Sequence, residues 1–319
     1  DGTLVNDQPV AGAPFPPIPV VFPLGFVYDY DAERDDSEPT WTASLQYDFS
    51  ADVMGYVSYT HGYKSGGISM TRDAGGTQFA FTPAGPAGPF PAQDPTFEKE
   101  TADSFELGLK ADLLDQRLRL LASAWHTQFE DLQVQVLRPA DGAFAVSTAK
   151  GATSKGVEME ATLAVTEGLR LNASVQWADA TYDNGTGALS GAQALDGEPL
   201  GFVSDWTGTI GANYETPVGE SMVLFLDGNV FWRTDQRLSA EIQTYDTEED
   251  GYSLLTLRAG VRTSDDAWEL SAWCRNCSDE SYAVSKFRIP FDGWLLGSGT
   301  VWSHVGMPRV MGVTGTYRF

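Results

Sequence analysis

The chain has 319 residues, 33 of them Gly, 12% aromatics and a formal net charge of −24. That acidity argues against nucleic-acid binding, which needs Lys and Arg to neutralise phosphates. No run approaches 18 apolar residues, so no transmembrane helix is encoded; half-polar membrane strands escape that test.

Residues 1–39 differ from the rest. Pro and Gly dominate AGAPFPPIPVVFPLG, and Asp29, Asp31, Glu33, Asp35, Asp36 and Glu38 follow. This reads as an irregular arm. The acids at 29, 31 and 33 faintly suggest a calcium loop, but Arg34 stands where the sharp-turn Gly belongs, which favours solvated charge. Asp1 is not a natural start and no signal peptide is visible, so a mature or truncated chain is expected.

From Thr40 the chain reads as hairpins. Trp41, Ala43, Leu45, Tyr47 and Phe49 share one face of a strand over 40–49, and a strand over 53–63 follows. After a Gly-, Pro- and Phe-rich loop (64–98), Phe105, Leu107 and Leu109 oppose Ser104, Glu106 and Lys110. Leu114-Asp115-Gln116 turns into a strand over 117–136, and the next strand starts after a loop over 138–152. There Val157, Met159, Ala161 and Leu163 oppose Glu158, Glu160 and Thr162. Leu169 to Trp177, Trp206 to Tyr214, Met222 to Trp232, Leu255 to Val261 and Trp268 to Ala272 repeat the alternation. In the last stretch, RVMGVTGTYRF, Met311, Val313, Gly315, Tyr317 and Phe319 share a face.

Short turns near 50–52, 114–116, 166–168, 217–219 and 264–266 alternate with long loops near 64–98, 138–152, 184–202, 237–250 and 278–307. That asymmetry, with aromatics gathered at the ends of the apolar faces, fits an antiparallel transmembrane β-barrel with short periplasmic turns and long extracellular loops. A soluble β-sandwich is the competing all-β reading. The count is eleven strands. A complete single-chain bacterial barrel has an even number. The expectation is therefore the C-terminal part of a larger barrel at 40–319, entered from an extracellular loop or arm at 1–39.

The alternating last strand ending on Tyr317 and Phe319 resembles the closing strand of outer-membrane barrels, the segment that barrel-assembly machinery reads. Internal segments are more specific. MGYVSYTHGYKSGG (54–67), TFEKETADSFELGLKADLLDQRLRLLASAWHTQFEDLQVQ (96–135), TSKGVEMEATLAVTEGLRLNASVQWADATYD (153–183), WELSAWCRNCSDESYA (268–283) and PRVMGVTGTYRF (308–319) resemble, in order, the signatures of TonB-dependent outer-membrane receptors. The resemblance implies a twenty-two-stranded barrel with a plugged lumen, of which this chain supplies the last eleven strands. The plug, the TonB-contacting segment and the first barrel half lie outside this sequence.

What the resemblance implies is uptake rather than catalysis. A scarce ligand (a ferric siderophore, haem, cobalamin or sugar) is captured at the surface and drawn through by the TonB complex acting on the plug. Outer-membrane lipid and lipopolysaccharide are expected around the barrel. Phe79, Phe81, Phe90 and Phe97, and Tyr245 among Asp246, Glu248, Glu249 and Asp250, are vestibule candidates. Arg233, Arg237 and Lys286 are the basic candidates for an anionic ligand. His61, His126 and His304 sit on separate hairpins, so no catalytic or metal constellation is expected, nor any cofactor. Cys274-Arg-Asn-Cys277 has redox-motif spacing without a βαβ context; an oxidising surface favours a local disulfide. The alternatives are a passive pore, a smaller self-closed barrel, an outer-membrane hydrolase or a soluble β-sandwich binding module.

Overall fold

The structure is a computed structural model. It describes residues 33–68, 80–82, 85–87, 96–137, 144–184, 189–190, 193–194, 196–239, 247–288 and 301–319. Eleven strands form one antiparallel sheet: β1 (Trp41–Ser50), β2 (Val53–Lys64), β3 (Glu100–Leu113), β4 (Leu118–Leu137), β5 (Phe144–Ala164), β6 (Leu169–Tyr182), β7 (Trp206–Val218), β8 (Met222–Arg233), β9 (Tyr252–Thr263), β10 (Trp268–Arg275) and β11 (Val310–Tyr317). Each pairs with its neighbours in sequence, so the sheet is an uninterrupted meander with β1 and β11 at its edges.

Register carries the alternation across strands. The row Val57–Leu107–Ala124–Val157–Trp177–Trp206 passes from β2 to β7 through directly opposed residues. Leu226–Ala259–Ala272–Val313 continues the same face from β8 to β11. A sandwich would bury this face under a second sheet. Here Leu45 is 70% exposed, Ile210 62% and Val313 73%, and no described element covers them. An uncovered apolar surface this extensive fits lipid, not water.

The band has limits. Near the long-loop end, Trp41 packs at a tilt on Tyr59 with centroids 5.0 Å apart, and Trp177 lies opposite Trp206. Near the short-turn end, Trp268 packs on Tyr317 at 4.4 Å, and Tyr47 meets Phe49 edge-on at 5.1 Å. Two aromatic belts thus bound the apolar rows, as interfacial girdles do. Polar groups resume on that face at His126 and at Lys155, which pairs with Asp179 at 3.0 Å.

The opposite face is polar, and four of its aromatics lie over glycines. Tyr56, Trp125, Phe225 and Trp273 each stand directly opposite a glycine: Gly108, Gly156, Gly260 and Gly312. A Cβ at Gly156 or Gly312 would collide with the indole lying on it. The ring shields the neighbouring glycine backbone, an aromatic–glycine pairing that pins register.

Two boundaries differ from the sequence reading. β5 begins at Phe144, not near residue 153, so the loop expected over 138–152 is shorter. The extension carries a small core in which Val134, Ala149, Ala152 and Tyr182 are buried with Phe129, Leu132 and Leu200 packed against them. The strand expected over 53–63 alternates weakly in sequence but forms in full and runs one residue farther, giving the twelve residues of β2.

Replacing Ile210, mid-strand on the apolar face, by Arg is expected to cost about 2–4 kcal/mol in a bilayer. Thr209→Arg, on the polar face, carries no such lipid penalty. Denaturant unfolding of the protein in lipid vesicles compares the two.

Candidate ligand rim and inner wall

The five short connections leave the sheet at one end and the long ones at the other. Three consecutive residues of the 114–116 turn have positive φ (56°, 54° and 64°), so the reversal is tight although none is Gly. The functional candidates divide between the long-loop end and the polar face.

On the polar face, β2 to β5 carry an open recess of about 260 Å³ lined by Tyr56, Glu106, Lys110, Ser123, Glu158 and Glu160, among others. The Tyr56 hydroxyl donates to Glu106, and the Lys110 ammonium lies 5.6 Å from the Tyr56 ring centroid. Farther along, Arg258 pairs with Glu269 and, at 3.6 Å, with Asp227, while stacking 4.7 Å over Phe225. Arg262 pairs with Glu215 at 2.6 Å and Asp266 at 2.9 Å. One stretch of wall is therefore carboxylate-rich and another is a closed ion-pair ladder. Alternation alone places Glu158, Glu160, Arg258 and Arg262 on this face; their pairing across strands is not readable from it.

At the long-loop end, Arg233 closes β8 with its guanidinium 5.1 Å from the Tyr252 ring centroid. Its Nε and Nη2 are buried without a hydrogen-bond partner among the described residues. Arg237 lies on the ribbon Gln236–Arg237, which pairs with Glu248–Glu249. It donates to Pro199 O at 3.0 Å and Glu198 at 3.2 Å, tying the β6–β7 connection to the β8–β9 connection. Lys286 pairs with Glu249 at 2.9 Å and donates to Glu248 O, tying in the β10–β11 connection. Phe97 packs beneath Gly67. Phe81 lies on the short ribbon Ala80–Thr82 opposite Pro86. Phe79, Phe90 and Tyr245 lie outside the described residues. Cys274 and Cys277 are disulfide-bonded. Tyr317 packs against Trp268, and Phe319 is fully exposed.

Sequence reading missed two features here. Asn276, between the cysteines and only 5% exposed, donates to Glu280 O at 2.8 Å and Met307 O at 3.0 Å and accepts from Glu280 N at 2.8 Å. It thereby joins the two ends of the β10–β11 connection, and Arg309 adds an ion pair to Asp279 at 3.3 Å. Its φ of 48° suits Asn better than most residues. The second feature is at the other edge. Arg34 grips Asp36 at 2.8 Å and reaches Glu98 at 2.7 Å, and Gly66 N donates to Asp36 at 3.0 Å. Lys99 pairs with Glu38, and His61 lies 3.6 Å from Glu38 and 2.8 Å from Asp103. The Arg34 hydrogen bond holds the Asp36 carboxyl below its usual range, and the Lys99 ammonium does the same for Glu38.

Asn276→Ala strands two carbonyls and an N–H, and is expected to cost about 1–3 kcal/mol. Heat-modifiability on gels reports the loss as an earlier unfolding temperature. Because Asp36 and Glu38 have lowered folded pKa values, their stabilising contribution is complete above the unfolded values near ~4 and is lost as pH falls through the folded ones. A fluorophore on Ser37→Cys should keep its anisotropy from neutral pH down to about 4 and lose it only below; release centred above pH ~5 would contradict this assignment.

The model of the family described as "TonB dependent receptor-like, beta-barrel" matches residues 21–277. Among solved structures, the ferric yersiniabactin uptake receptor FyuA from Yersinia pestis superposes with a TM-score of 0.65 at 18% identity, over 85% of this chain and 36% of that one. The siderophore receptor PiuA from Acinetobacter baumannii gives 0.61 at 16% identity, over 86% of this chain and 35% of that one. The copper transporter OprC gives 0.61 at 14%, over 88% of this chain and 39% of that one. The chain thus spans little more than a third of these structures. With the family match, the apolar face is the lipid face of an outer-membrane barrel and the polar face its lumen wall. This chain belongs to the TonB-dependent receptor-like β-barrel family.

Proposed function

We propose that this chain is part of an outer-membrane receptor for active, TonB-driven uptake of a scarce metal chelate of the siderophore class. The observation that carries the reading is one open sheet with a lipid-type face and a charge-bearing lumen face. FyuA is a ferric yersiniabactin uptake receptor and PiuA a siderophore receptor, which favours that ligand class over haem, cobalamin or a sugar.

Strand direction supports a partner half. In an eleven-strand antiparallel meander the two edge strands run the same way. Closing β11 onto β1, or onto the β1 of a second copy in the same orientation, would make a parallel seam. An odd number of further strands closes both edges antiparallel. That weighs against a smaller self-closed barrel and for the first half of the same receptor, with a plug inside facing the Glu106–Glu158–Glu160 wall. At the outer mouth, Phe79, Phe81, Phe90, Tyr245 and Arg233 contact ligand, and Arg237 belongs to the vestibule while bracing two of its loops. The surrounding leaflet is lipopolysaccharide, which meets the polar groups above the apolar band.

Uptake of radiolabelled ferric siderophores by iron-starved cells carrying the receptor tests this. Accumulation abolished by a protonophore is expected; accumulation insensitive to it indicates a passive pore.

A further inference from the structure

Residues Glu33–Thr40, ahead of β1, have no ladder partners. Their fixed course comes from side chains. Arg34 and Asp36 are shielded, with side chains 17% and 11% exposed. Their pair lies on Gly66, where a Cβ would collide with the Arg34 guanidinium on one side and Phe97 O on the other. The contacts reach both stems of the β2–β3 connection. Gly66 N donates to Asp36 on the outgoing stem; Glu98 and Lys99 on the returning stem hold Arg34 and Glu38. Gln133 of β4 ties the stems to each other, donating to Ser65 O at 2.9 Å and Glu98 O at 3.1 Å.

We propose that Glu33–Thr40 is an ionic clasp that couples the loop-end connection entering β1 to the neighbouring β2–β3 connection, so that the two move as one body at the outer mouth. This rests on reading the long-loop end as that mouth, not on any ligand. Arg34 serves as the pin because its planar fork can bind Asp36 through two nitrogens while one of them also reaches Glu98. Gly66 serves as the seat because only a residue without Cβ lets the pin lie flat. The Lys99–Glu38 pair is a second, separate fastening on the same stem.

Hydrogen exchange on the receptor extracted from outer membranes in mild detergent tests the coupling without a ligand. Peptides covering 33–40, 64–68 and 96–103 are followed, with β7–β8 as the fold control. Arg34→Ala and Gly66→Ala disturb the clasp from opposite sides. Each is expected to raise exchange roughly two- to fivefold, the range one or two exposed ion pairs support, in all three segments with the control unchanged. Lys99→Met, which leaves the Arg34–Asp36 pair and its Gly66 seat in place, should give a smaller rise in the same set. Faster exchange confined to the mutated segment in each variant, its partner segments staying protected, overturns the proposal. A receptor that fails at uptake but shows the coupled pattern would refute the assigned function and leave the clasp standing.

Discussion

Inside a bilayer no water is available to a peptide N–H or C=O, so each must find its partner in the chain. The meander meets that demand rung by rung, from Trp41–His61 at one edge to Trp268–Tyr317 at the other. Other features follow. Each strand must have a lipid face and a lumen face, so apolar and polar residues alternate. Aromatics collect where the solvent changes. The two edge strands cannot remain bare within lipid, so the sheet requires continuation on both sides.

The lumen wall has a second requirement: it must stay thin. Laying Tyr56, Trp125, Phe225 and Trp273 onto opposite glycines keeps bulky side chains along the wall rather than projecting from it. Charges there are disposed in two ways. Around Arg258 and Arg262 they satisfy one another and stiffen the sheet. Around Glu106, Glu158 and Glu160, acids outnumber the single Lys110 lining the same recess, which leaves that wall negative toward whatever fills the barrel.

Where lipid enforces alternation, the sequence was readable. Val157 to Leu163 against Glu158 to Thr162 gives the strand and its two faces, and the eleven-strand count follows from repeating that reading. Past the lipid the constraint lapses. Ala149 and Ala152, of opposite parity, are both buried, and Asp131 takes a left-handed φ of 54°, so β5 overran its expected start without a periodic signal. The rim was less legible because its contacts are long-range and ionic. Arg34 and Glu98 are 64 residues apart, and an acidic run read as part of an irregular arm includes two carboxylates that hold specific partners. Arg237 and Lys286 illustrate the same limit: basic loop residues look available in sequence, yet both carry loop-to-loop ties.

The two-faced strands also matter before the barrel exists. A secreted chain must pass the inner membrane without being retained there, and a long apolar stretch would act as a stop signal. Because polar residues and glycines interrupt the apolar ones along each strand, none presents such a stretch, although together they build a continuous apolar surface. Export and final residence in a membrane are thus reconciled by geometry: the greasy surface exists only once neighbouring strands are aligned, and the strongly acidic unpaired chain has charge to keep it dispersed until then.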